Sequence, residues 1–66
     1  MEIVINGEPR IVAQHATVDD VLSQLGIVRD GIAVALNDEV VPRSQYAEYT
    51  LEAGVRLEIV QAVAGG

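Results

Sequence analysis

Few residues of this chain are equipped for chemistry. There is one histidine, His15, and no cysteine, which removes thiolate nucleophiles, disulfides and thiolate metal sites. Ser23 and Ser44 have no base at a spacing that would activate them. The acidic pairs Asp19–Asp20 and Asp38–Glu39 fall where a helix start and a turn are expected, and that accounts for them without a tuned acid–base site. The sequence carries no HExxH or calcium-loop pattern, and its glycines form no GxGxxG or GxxxxGK loop. What is left is "QAVAGG", with a carboxylate on Gly66 behind Gly65 and Ala64.

A carboxylate is a poor acyl donor because oxide leaves badly. Joined to AMP it becomes a good one, and a sulfur or nitrogen nucleophile can then take the acyl group. Such chemistry takes place in another protein's pocket, which favours a thin probe. Glycine lets backbone approach closely, Ala62, Val63 and Ala64 are small, and five extended residues reach about 17 Å. The expectation is a folded domain over residues 1–61 and an extended, flexible tail over 62–66. The reading that competes with it is a frayed end with no role.

A tail needs a body to hold it. "EIVIN" alternates Ile3 and Ile5 against Val4, the period of a strand, and Asn6–Gly7 is a hairpin turn because both residues accept positive φ. "RIVAQH" reads as the returning strand, with His15 near its end. Pro9 at its start lacks an N–H and predicts a sheet edge. The period then changes. Val18, Val21, Leu22 and Leu25 share one helical face, Thr17 with Asp20 resembles a capping box, Asp19 and Asp20 suit the positive end of the helix dipole, and Gly26 suits a left-handed stop with Ile27 folding back on Leu22. "IAVALN" reads as a strand with Val34 and Leu36 on one face and Ala33 and Ala35 on the other. "ND" turns the chain and "EVV" returns until Pro42. "RSQYAEYTLEAG" has no clean period and reads as a loop with a helical turn. "VRLEIVQAV" is the last strand, with Leu57 and Ile59 facing inward opposite Arg56, Glu58 and Val60.

One helix must cover one face of the sheet to bury both apolar sets. A right-handed crossover then places the first and last strands side by side and parallel. This predicts an α+β, β-grasp (ubiquitin-like) fold: a mixed sheet of four to five strands on one helix, the tail leaving the central strand. The face away from the helix would carry Val4, Ala33, Ala35 and Val60, small apolar residues on which a partner could rest.

Ten acids against four arginines and no lysine give a net charge of −6. The arginines are scattered, whereas a nucleic-acid binder clusters basic side chains on one face, so no nucleic acid is expected. An acidic surface suits a protein partner with a basic patch, or serves solubility. The longest apolar runs fall far short of the roughly 20 residues that span a bilayer, and "MEIVING" is unlike a signal peptide, so no membrane association and a cytoplasmic location are expected.

The stretches "VALNDEVVPRSQY" and "LEAGVRLEIVQAVAGG" carry a family likeness. Over essentially its whole length the chain resembles the ThiS family, the ubiquitin-like sulfur carriers of thiamin biosynthesis in the wider ThiS/MoaD group. The strand–turn–strand pattern "VALN-x-E-x-VPR-S" is more specific to it than a Gly-Gly ending. The resemblance implies that the Gly66 carboxylate is adenylated by an ATP-using, E1-like partner (ThiF-like), converted to a thiocarboxylate, and used by a thiazole synthase (ThiG-like). It implies no catalytic residue, metal or bound cofactor in the chain itself, ATP being the partner's substrate. The chain departs from the family in having Tyr46 where Trp is frequent and Val55 where an acid often follows the glycine. Three other readings stay open: a molybdopterin-synthase small subunit, a ubiquitin-like modifier of lysines, and a binding module with an inert tail.

Overall fold

Alternation sorts the first strand, β1 (Glu2–Ile5), as its sequence requires: Ile3 and Ile5 are buried and Val4 is half-buried. The computed structural model describes residues 1–61, and the expected tail over 62–66 lies outside them. Asn6 and Gly7 turn the chain with φ of 49° and 82°, and β2 (Glu8–Ile11) pairs antiparallel with β1. Strand β2 is an edge strand. Pro9 lies opposite Val4, between the pairs that Ile5–Glu8 and Ile3–Arg10 form. Its missing N–H therefore faces away from β1 and takes one donor off the free edge.

The second strand is shorter than the sequence predicts. Val12 still exchanges bonds with Met1 (2.9 and 2.7 Å), but the chain then leaves the sheet to deliver Ala16 into the core. It does so through a turn in which Ala16 donates to the Ala13 carbonyl, and the Ala16 carbonyl accepts the Leu51 N–H at 2.8 Å. His15 sits in that turn with φ of 66°, and not at a strand end.

Helix α1 (Val18–Gln24) begins at Thr17, whose hydroxyl accepts the Asp20 N–H at 3.1 Å while the Asp20 carboxylate accepts the Thr17 N–H at 2.9 Å. Two further first-turn donors are satisfied from a distance: Val18 donates to the Tyr49 carbonyl and Asp19 to the Tyr46 carbonyl, both at 3.0 Å. The helix stops at Gly26 (φ 70°), where the Gly26 and Ile27 N–H groups take up the Ser23 and Leu22 carbonyls. Val18, Val21 and Leu22 are buried, and Leu25 and Ile27 pack against them from the rim of the core.

Strand β3 (Ile32–Leu36) comes next, then an Asn37–Asp38 turn with positive φ at both residues, then β4 (Glu39–Val41), a 3₁₀ turn (Arg43–Gln45) and β5 (Arg56–Gln61). The five strands form one sheet in the order β2-β1-β5-β3-β4. Strand β5 lies in the middle, parallel to β1 and antiparallel to β3. This is the β-grasp arrangement, and α1 covers its inner face. Leu57, near the start of β5, is fully buried with Ile3, Val34 and Leu22. The aperiodic segment after β4 is not peripheral: Tyr46, Leu51 and Val55 are buried in the same core.

Truncating Leu57 to alanine should cost about 2–5 kcal/mol, as much as the roughly 3–5 kcal/mol that a core of this size supplies. Thr17→Ala should cost about 1 kcal/mol. Urea unfolding followed by circular dichroism should find Leu57→Ala largely unfolded in buffer and Thr17→Ala folded with a lowered midpoint.

Candidate functional site: the C-terminal strand and the sheet face

Gly66, Gly65 and Ala64 lie outside the described residues, so the site is seen here from its root. That root is β5. Both flanks of this strand are bonded along most of its length. On one flank Val4 donates to the Val55 carbonyl and Asn6 to the Leu57 carbonyl, each at 2.9 Å. On the other, β5 pairs with β3 from Leu36–Leu57 to Ile32–Gln61. Two asparagine side chains extend the pairing beyond the strands that carry them. Asn37 Oδ1 accepts the Arg56 N–H at 3.0 Å, and Asn6 bonds both the N–H and the C=O of Ile59.

On the face away from α1, the register shows which expected residues meet. Ala33 lies directly opposite Val60, Ala35 opposite Glu58, and Val4 opposite Arg56. Ala33 and Val60 are therefore neighbours, whereas Arg56 and Glu58 separate them from Val4 along β5. Val4, Arg56, Glu58 and Val60 line one open depression of about 540 Å³. Two larger apolar residues share this face. Val40, opposite Ala35, is 76% exposed, and Ile11, opposite Glu2, is 70% exposed. Val40 was within reach of the sequence, since a two-residue turn at Asn37–Asp38 sets Leu36 against Glu39 and so Ala35 against Val40.

Charge is distributed unevenly. Each arginine has an acidic neighbour: Arg29 with Asp19 at 2.6 Å, Arg43 with Asp30 at 2.7 Å, Arg56 with Asp38 at 3.1 Å and Arg10 with Glu8 at 4.0 Å. Arg29 is the most engaged. It also donates to the Asp19 and Ile27 carbonyls and to the Ser23 hydroxyl, which ties the loop after α1 to the helix. Glu2, Asp20, Glu39, Glu48, Glu52 and Glu58 lie outside these pairs, so the outward charge is acidic. Among the described residues no group of three or more His, Cys, Asp or Glu could hold a metal, and no helix is long and apolar enough to cross a membrane.

A family model described as the ThiS family matches residues 3–66. The chain belongs to the ThiS family. It is 35% identical to the sulfur carrier protein ThiS of Escherichia coli K12 over the full length of both chains. The crystal structure of the thiamine biosynthesis protein ThiS of Geobacter metallireducens superposes with a TM-score of 0.86 at 30% identity, again over all of both chains. The chain is also 42% identical, over all 66 residues, to part of a thiazole synthase of Paramagnetospirillum magneticum, of which it spans 20%.

Proposed function

We propose that this chain is a sulfur carrier protein of thiamin biosynthesis whose Gly66 carboxylate bears the sulfur. The observation that carries the reading is the full-length match to a sulfur carrier, joined to a fold that puts β5 at the centre of the sheet. The Gly66 carboxylate attacks the α-phosphate of ATP in an E1-like activating enzyme, and pyrophosphate leaves. Sulfide, or its equivalent from a persulfide whose S–S bond a thiol then cleaves, attacks the acyl carbon, AMP departs, and a C–S bond stands where a C–O bond was. The product thiocarboxylate gives its sulfur to a thiazole synthase, for formation of the thiazole moiety. A thiazole synthase that contains a stretch 42% identical to this whole chain supports that choice of acceptor, because covalent joining keeps a carrier beside the enzyme it serves.

The body is then a handle. Val60, Ala33, Ala35 and Val40 offer an apolar contact on the outer face, with Val4 beyond the Arg56–Glu58 interruption, and the unpaired acids steer the carrier toward basic partners.

Removing Gly66 shortens the chain by about 3.5 Å, and a misplacement of about 1 Å can cost a hundredfold when reacting atoms must align. The chain without Gly66 should fold normally and fail to be adenylated, read as loss of ATP–pyrophosphate exchange. The intact chain, given ATP, its activating enzyme and a sulfur source, should exchange one oxygen for one sulfur, placed on Gly66 by tandem mass spectrometry. Sulfur found elsewhere, or activation of the shortened chain, would overturn the reading.

Val60→Asp should leave stability within about 0.5 kcal/mol, as for most surface substitutions. It should weaken partner binding at least tenfold, about 1.4 kcal/mol, by calorimetry. Association with the activating enzyme should also slow as salt rises, since screening shortens to about 8 Å at physiological ionic strength, while dissociation changes little. Stopped-flow rates independent of salt would assign the acids to solubility.

A further inference from the structure

Strand β1 leaves the sheet before its neighbour ends. The last pair it forms with β5 is Ile5–Leu57, and the Asn6–Gly7 turn then carries the chain away to β2. Ile59, two residues further along β5, would face an empty flank with its N–H and C=O. The Asn6 side chain takes the place of the missing strand. Its Oδ1 accepts the Ile59 N–H at 2.8 Å and its Nδ2 donates to the Ile59 C=O at 3.2 Å. A flipped carboxamide would oppose donor to donor and acceptor to acceptor, so the bonds define its orientation. Asn37 does similar work at the other end of β5. Its N–H donates to the Arg56 C=O at 2.9 Å and its Oδ1 accepts the Arg56 N–H at 3.0 Å. Both asparagines are left-handed, with φ of 49° and 47°.

We propose that Asn6 is a positioning residue for sulfur transfer: its carboxamide fixes the direction in which the chain leaves β5, and so where the Gly66 carboxylate is offered. This rests on the sulfur-carrier reading. A strand held on one flank can pivot about it, and past Leu57 the second hold on β5 among the described residues is Asn6. Gly66 is the seventh residue after Ile59. Gln61, the last described residue, lies about 7 Å beyond Ile59, so a swing of about 10° at Ile59 moves the start of the tail by about 1 Å. A root already aimed at the partner's channel leaves less to be ordered on binding. Asn37 makes comparable bonds at the far end of β5 and has no such lever, which makes it a matched control.

Asn6→Gly and Asn37→Gly keep the left-handed backbone and delete the carboxamide. Adenylation would be followed with ATP and the activating enzyme, and stability by urea unfolding. Asn6→Gly should lose at least tenfold in kcat with KM within twofold, because the apolar contact at Val60, Ala33, Ala35 and Val40 is untouched. Asn37→Gly, at similar stability, should stay within twofold in both. Asn6→Asp keeps the acceptor for the Ile59 N–H but turns an oxygen on the Ile59 C=O. It should fall between them, and it carries the comparison if the glycine variant does not fold. Equal losses in the two asparagine positions, or turnover of Asn6→Gly within twofold of the parent, would overturn the proposal. A parent chain that gains no sulfur at Gly66 defeats the carrier reading instead. Amide exchange on the chain alone then still decides the role of Asn6. The Ile59 amide exchanging at least tenfold faster in Asn6→Gly than in Asn37→Gly supports it, and equal rates refute it.

Discussion

Strand β5 must find backbone partners on both sides, and the rest of the molecule is arranged to supply them. In the middle of a sheet, N–H and C=O groups that the neighbouring strands screen from water cost about 1–3 kcal/mol each if left unbonded. Strand β1 serves one flank and β3 the other. Because β1 and β5 run parallel, the connection between them has to cross the sheet, and α1 lies on that crossover. Leu57 then meets Ile3, Val34 and Leu22 in one core. Where the flanking strands stop short of the ends of β5, Asn37 and Asn6 complete the bonding with side chains. The strand that leads to residues 62–66 is thus held from both flanks.

The segment between β4 and β5 shows how a small domain makes irregular chain contribute. It buries Tyr46, Leu51 and Val55, and its carbonyls cap the start of α1 at Val18 and Asp19. Thr50 forms a bridge with Thr17, and Leu51 donates to the Ala16 carbonyl at 2.8 Å. A helix of seven residues is too short to stand alone. Its stability comes from these tertiary bonds and from the buried stripe.

In a sulfur carrier of the ThiS family the body has to be recognised without reacting. Surface ion pairs contribute only about 0–1 kcal/mol each, so the four arginine pairs matter less for stability than for appearance. They neutralise the cations and leave an acidic exterior around a sheet face where Val60, Ala33, Ala35 and Val40 lie together.

Local sequence determined the helix and its two ends, the two asparagine turns, the alternation of Ile3, Ile5 and Leu57, and Pro9 at an edge. Each of these follows from backbone preference or from burial at a fixed period, and each is written within a few consecutive residues. The β-grasp order was legible too, because one helix between a hairpin and three further strands has few right-handed solutions. Tertiary structure decided what depends on distant partners. The returning strand stops at Ile11, because Ala16 and Thr17 are drawn off the sheet by burial and by their bonds to Leu51 and Thr50. "RSQYAEYTLEAG" has no period because its burial is set by the start of α1 and not by its own conformation. Asn6 reads in the sequence as a turn residue and nothing more. That its side chain stands in for a strand beside Ile59, 53 residues away, depends on where β1 leaves the sheet relative to β5, and no local pattern encodes that register.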